Sequence, residues 1–305
     1  MENQRELQLF ETNQKRSRSR KKIRWTPILF LLPSIIVFFV FKYYPIFDAI
    51  YISLFNYDII NPPGRFVGFG NYEEFLGSET FWIAMKNTFI FLILSMAIVF
   101  WVPIVQALFL SNIRRFNGMY RVLYQIPSVL PIVAGVLLWK WMYNPDRGLF
   151  NYLLGKIGLG PYGWLNDLHM TKLAIVLPGF FASGGVGMLL YYAAIKSISS
   201  EIFEAAKIDG CGPWRRIGMI ILPNITFVIL IQFIGFMSGV LLSFDNIFVM
   251  TQGGPADASL VVALMIQKTA FVQSRFGISA ALSFFMFIVI VILTVIQFRL
   301  QREEE

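Results

Sequence analysis

Two short segments hold the polar residues whose types and spacing suggest a task. The first runs Ser199-Ser200-Glu201-Ile202-Phe203-Glu204-Ala205-Ala206-Lys207-Ile208-Asp209-Gly210 and continues Cys211-Gly212-Pro213-Trp214-Arg215-Arg216. Ser199 or Ser200 can cap a helix there, with Glu201 and Glu204 near its positive end. Asp209-Gly210 stops it, and Pro213 is placed to start the next. Two turns fall short of the roughly 12 to 15 residues that an isolated helix needs in water, so this one has to dock on something. Ile202, Ala205 and Ala206 share one face while Glu204 and Lys207 project from another, and the paired alanines permit close backbone approach. The shape suits a partner's cleft, the alternative being an amphipathic connector on a lipid surface.

In the second segment Gly235, Ser238, Gly239, Ser243, Asp245 and Asn246 interrupt large apolar residues. As one continuous helix they fall within an arc of about 160°. Gly179, Ser183 and Gly187 recur at intervals of four, with Gly184 and Gly185 between them. Such small stripes serve either helix packing or a polar path. A carboxylate at bilayer depth is costly and normally faces a protein interior or a water-filled route. Asp245 therefore lines such a route or pairs with a charge on another subunit.

Other chemistry has little material. One histidine, His169, and one cysteine, Cys211, leave no metal-ligand spacing and no internal disulfide. Gly155-Lys156 is followed by Ile157 and lacks the upstream glycine of a phosphate-binding loop, so ATP has no such loop here. No H-E-x-x-H or nucleophile elbow occurs. An enzyme is therefore a poor reading of this chain, and no cofactor of its own is expected.

The elements that must position these residues are membrane spans. With 56% hydrophobic and 14% charged residues, the 305-residue chain is too apolar for an ordinary soluble domain. Six apolar stretches of about 20 residues can be marked, near 27–47, 82–110, 122–143, 173–195, 225–250 and 278–298. An all-α membrane protein of about six transmembrane helices follows. The net charge of +8 then reports orientation rather than nucleic-acid binding. Basic clusters at 15–24, 114–121, 196–216 and 299–302 fall on one side under strict alternation, which puts both termini in the cytoplasm. No small-residue cleavage site follows the first stretch, so it reads as an uncleaved helix. The expected divisions are a basic cytoplasmic tail (1–24), a transmembrane domain (25–300) and a cytoplasmic end (301–305). The opposite connections, near 56–79, 144–171 and 251–277, read as turns and short caps.

Glu204-Ala205-Ala206, then Gly210, then Ile220-x-Leu222-Pro223 resembles the EAA loop of permease subunits of bacterial ATP-binding-cassette (ABC) importers. Tyr44-Pro45, Asn87-Thr88, Asp209-Gly210, Phe244-Asp245-Asn246 and Gly253-Gly254-Pro255 resemble the carbohydrate branch, related to the maltose and glycerol-phosphate permeases. The resemblance implies a type I importer permease fold in the bacterial inner membrane, with loop 199–223 coupling it to separate ATPase subunits. It makes Glu204, Ala205, Ala206, Asp209 and Gly210 the coupling residues. Ser183, Ser238, Gly239, Ser243, Asp245 and Asn246 become candidates for the solute path, with aspartate where the maltose permease carries asparagine. It further implies a second, non-identical permease, two ATP-binding subunits holding ATP and magnesium, and an external solute-binding protein. An ion-gradient-driven carrier is the rival, but it gives the docking loop no purpose.

Overall fold

The computed structural model describes residues 25–60, 62–113 and 115–302. The tail 1–24 and residues 303–305 of the expected cytoplasmic end lie outside the described residues. The chain divides into two units at Ala49–Ile50. The first holds α1 (Trp25–Phe38), a wide π turn (Phe39–Tyr43) and the start of α2 (Tyr44–Ile52).

The second unit opens with a two-residue hairpin, β1 (Phe55–Asn56) antiparallel to β2 (Arg65–Phe66), with Phe55 opposite Phe66. Helices follow in the order α3 (Gly70–Leu76), α4 (Glu79–Ile98), α5 (Val102–Asn112), α6 (Asn117–Val129), α7 (Ile132–Met142) and α8 (Leu149–Gly155). Next come α9 (Thr171–Ala182), α10 (Gly185–Lys196), α11 (Ser200–Ile208) and α12 (Pro213–Arg216). The chain closes with α13 (Leu222–Asn224), α14 (Thr226–Leu242), α15 (Asp245–Met250), α16 (Val262–Phe271) and α17 (Phe276–Arg302).

Four helical segments are each long and apolar enough to cross a bilayer, and two bent pairs raise the number to as many as six. Four of the six apolar stretches are broken where the sequence suggests continuity, the stretch 82–110 only by a short pause at 99–101 between α4 and α5. The stretch 122–143 splits into α6 and α7, inclined by 88°. Pro131 sits at the junction and Pro127 lies inside α6, and the bend they permit is nearly a right angle. The stretch 173–195 splits into α9 and α10, bent by 51° at Ser183-Gly184. A Cβ on Gly184 would lie 2.2 Å from the carbonyl oxygen of Tyr124, so only glycine lets this break rest on α6. The stretch 225–250 pauses at Ser243-Phe244 between α14 and α15. Seventeen residues of α14 reach only about 25 Å at 1.5 Å each, short of a core of about 30 Å, so α15 completes the crossing.

Two buried clusters hold the second unit together. One gathers Phe75, Phe81, Phe91, Met237, Leu241 and Leu282 with their neighbours. The other packs Phe100, Ile104, Leu110 and Met188 against Ile221 and Ile225. Many remaining large apolar side chains are exposed, as expected where lipid is the solvent.

The connection 251–277 is more ordered than the expected turns, because it carries the ten-residue α16. The first N–H of that helix, on Val262, is accepted by Thr88 Oγ1 of α4 at 3.1 Å. This cap comes from 174 positions away, beyond the reach of local sequence signals. Arg275 and Glu74 form a bidentate pair at 2.5 and 2.7 Å beside it. Both side chains are about half exposed, so the pair contributes no more than about 1 kcal/mol.

Candidate functional site

The loop between α10 and α14 is built largely as its residues dictate. Ser199 is the N-cap of α11, its Oγ accepting the N–H of Glu201 at 3.3 Å. At the other end the N–H of Cys211 donates to Ala206 O at 2.8 Å and that of Gly210 to Lys207 O at 3.1 Å. These are the two bonds of a Schellman closure, and Gly210 supplies its left-handed residue at φ +69°. Pro213 opens α12. The ladder then widens to i→i−5 over Ile217–Ile221, with the N–H of Leu222 donating to Ile217 O. Pro223, which has no N–H, follows at once.

The faces of α11 differ from the sequence expectation. Ala206 is buried at 8% exposure and Phe203 packs against the second cluster, so this side belongs to the chain's own core. Ala205 points outward instead of sharing Ala206's surroundings. The physical reason is the 100° step between consecutive residues, which lets Phe203 and Ala206 turn inward together and sends Ala205 out with Glu201, Glu204 and Ile208. Ile208 is 86% exposed and Trp214 85%. An exposed carboxylate next to a small residue and two large apolar ones is a surface suited to a protein groove.

A second site lies among the broken helices. A cavity of about 420 Å³ is lined by Pro103, Ser183, Gly187, Tyr191, Gln232 and Gly235, among others. A smaller one of about 170 Å³ is lined by Thr88, Ser95, Ser243, Asn246 and Val261, among others. Val99, Gly179 and Phe236 border both, so the two adjoin. Their walls are mostly apolar with a few hydroxyl and amide groups, the general composition of small-molecule sites. The hydroxyl of Tyr191 is buried without a hydrogen-bond partner among the described residues.

Of the candidate path residues, Ser183, Ser243 and Asn246 line these cavities, while Ser238, Gly239 and Asp245 are not among the lining residues. The break at Ser243-Phe244 dissolves the single helical arc that would join Gly235, Ser238 and Gly239 to Ser243, Asp245 and Asn246. Asp245 is exposed and occupies the first turn of α15, where its charge complements the helix dipole. Gly179 and Gly187 combine two roles, since Cβ atoms there would meet Val99 at 3.2 Å and Gln232 at 3.0 Å. Gln232 and Tyr191 carry no distinguishing signal, because a single amide in an apolar run is ordinary and Tyr191 is one of 12 tyrosines.

The histidine is elsewhere. His169 is exposed in a turn where its own N–H and that of Met170 donate to Asp167 Oδ1 at 2.8 and 2.9 Å. Those two bonds hold the Asp167 carboxyl below its ordinary pKa. No group of three or more His, Cys, Asp or Glu side chains suited to a metal occurs among the described residues.

The comparisons with known proteins converge. Residues 107–304 match the family described as "Binding-protein-dependent transport system inner membrane component". A probable ABC transporter permease protein of Pyrococcus horikoshii is 31% identical over 84% of this chain and 88% of its own length. The lactose transport system permease protein of Rhizobium radiobacter is 32% identical over 91% and 94%. Among solved structures, a bacterial ABC transporter involved in the import of the acidic polysaccharide alginate superposes with a TM-score of 0.81. It is 25% identical, covering 92% of this chain and 96% of that one.

Proposed function

Because this chain belongs to the family of binding-protein-dependent transport system inner membrane components, we propose that it is the permease subunit through which a sugar or oligosaccharide enters the cell. Relatives named for transport of lactose, of trehalose and maltose, and of glycerol 3-phosphate support that class of cargo. Adjoining cavities with hydroxyl and amide linings agree with it. As a member of the family, the chain is a transport subunit of the inner membrane rather than an enzyme. In our reading ATP and magnesium are held by two separate ATPase subunits. The pore is completed by a second, non-identical permease and fed by an external solute-binding protein. We count six spans, taking α6 with α7 and α9 with α10 as one broken span each, and place both termini and loop 199–223 in the cytoplasm.

The observation that carries the coupling role is the outward face of α11, where Glu204, Ala205 and Ile208 stand exposed at the end of a helix too short to persist alone. Fixed at both ends, α11 can pass the closure of an ATPase pair into α10 and α14 as rigid-body rotation. Glu204, Ala205, Asp209 and Gly210 form the lever, and Ala206 seats it on the permease. Purification tests the proposal. The chain should co-isolate with an ATPase and take up solute in vesicles only with ATP, whereas ion-driven uptake by this chain alone would refute it.

The path residues separate by their positions. Asn246→Ala removes an amide from the smaller cavity and should lower solute-stimulated ATP hydrolysis about tenfold, the loss expected for one good hydrogen bond to solute. Asp245→Asn, at an exposed position outside the lining, should change it by less than threefold. The reverse order would move the path toward α15's first turn and make Asp245 the lining group.

A further inference from the structure

Two buried polar side chains of α4 reach across to the segment that joins α15 to α16. Asn87, 4% exposed, donates from Nδ2 to the carbonyls of Asp257 at 2.8 Å and Leu260 at 2.9 Å. Thr88, 2% exposed, donates to Ala84 O at 2.7 Å and accepts the N–H of Val262 at 3.1 Å. These three long-range bonds tie the two ends of one short stretch, 257–262, to adjacent residues of a single helix.

The segment so held is tied to itself as well. The hydroxyls of Thr251 and Ser259 lie 2.8 Å apart, and Ser259 Oγ donates to Gly254 O at 2.6 Å. Gly253 adopts φ +96°, and a Cβ there would come within 3.2 Å of Leu260. A stretch with this much internal bonding moves as a body or not at all. Its far end is also a wall, since Val261 lines the smaller cavity together with Thr88, Ser243 and Asn246. Whatever frees 251–262 from Asn87 and Thr88 therefore shifts that wall, at the end of α14 that leads away from α11.

We propose that Asn87 and Thr88 are positioning residues, a latch that holds the Thr251–Val262 segment closed over the outer end of the cavity. Opening that end breaks the three bonds together, and closing it restores them. Ordinary clamps in a membrane protein also satisfy buried amides and hydroxyls. This one differs in that its removal changes access to a cavity and leaves the packing around α5 and α10 untouched. The inference rests on reading the adjoining cavities as the solute path.

The test uses the assembled transporter in membrane vesicles, carrying Cys211→Ser and Asn246→Cys, and a membrane-impermeant maleimide applied on the side opposite α11. Labelling is followed without ATP or solute, so its outcome is separate from the uptake that tests the proposed function. Asn87→Ala and Thr88→Val should each raise the labelling rate roughly tenfold, the scale of one or two lost hydrogen bonds in a closed state. Thr88→Ser, which keeps the hydroxyl, should label at the parent rate. A cysteine introduced at Met188, in the second cluster, should stay unreactive in every variant. An unchanged rate in the Thr88→Val variant overturns the latch, as does a rate that rises equally at Met188. If Asn87→Ala fails to assemble, Thr88→Val, nearly identical in shape, decides the matter alone.

Discussion

Replacing Glu204 by lysine is expected to lower ATP-driven uptake by more than tenfold while the subunit still accumulates in the membrane at its normal level. The side chain is exposed and makes no hydrogen bond or salt bridge within the described residues, so folding should change by no more than about 0.5 kcal/mol. The loss falls on docking instead, where a reversed charge facing a complementary one costs about 2 to 5 kcal/mol. Gly210→Pro should reach the same end by another route. Proline is locked near φ −65°, whereas Gly210 sits at +69°, and it would delete the N–H given to Lys207. The Schellman turn then cannot close and α11 loses its fixed angle. Vesicle uptake measured against membrane abundance checks both variants, and normal uptake in either would remove the coupling role from this loop.

Gly235→Trp should abolish uptake by obstructing the path. Gly235 lines the larger cavity, and a Cβ added there meets nothing within 4 Å. The backbone therefore accepts the substitution without the clash that Gly184→Ala would meet against Tyr124. An indole beside Phe236 and Tyr191 narrows a cavity of about 420 Å³ across the way a sugar ring would take. Assembly with the ATPase should persist, since α11 and its surroundings are untouched. The discriminating pair of measurements is solute uptake, expected to vanish, and co-isolation of the ATPase, expected to match the parent. Normal uptake would show that the cavity is no part of the route.

What could be read from the residues depended on whether the signal was local. Ser199, Gly210 and Pro213 act on their own neighbourhoods, and the helix, turn, helix they announce is present at the expected positions. The apolar stretches were equally legible because a bilayer imposes a length. Breaks within them were not all legible. Pro131 warns of a bend but carries no angle, and Ser183-Gly184 resembles any small-residue packing site until Tyr124 is seen beneath it. Helix α16 was missed because its first turn is satisfied by Thr88, a residue of α4. Asn87-Thr88 and Gly253-Gly254-Pro255 stand far apart in the sequence as separate marks of resemblance. Only the fold brings them into one hydrogen-bonded unit. The inward turn of Ala206 was likewise hidden, since it depends on the place of Phe203 in a cluster assembled from α5, α10 and α14.

The widened turn at Ile217–Ile221 sets an azimuth. Its i→i−5 winding carries one residue more than an α-helical turn of the same rise. Each residue of an α-helix advances about 100° around the axis. One surplus residue thus fixes the compass bearing at which the arm bearing α11 leaves the axis of α14. The stretch before Pro223 is thus a phase setting between α11 and α14. Gearing of this kind is adjustable in steps of one amino acid.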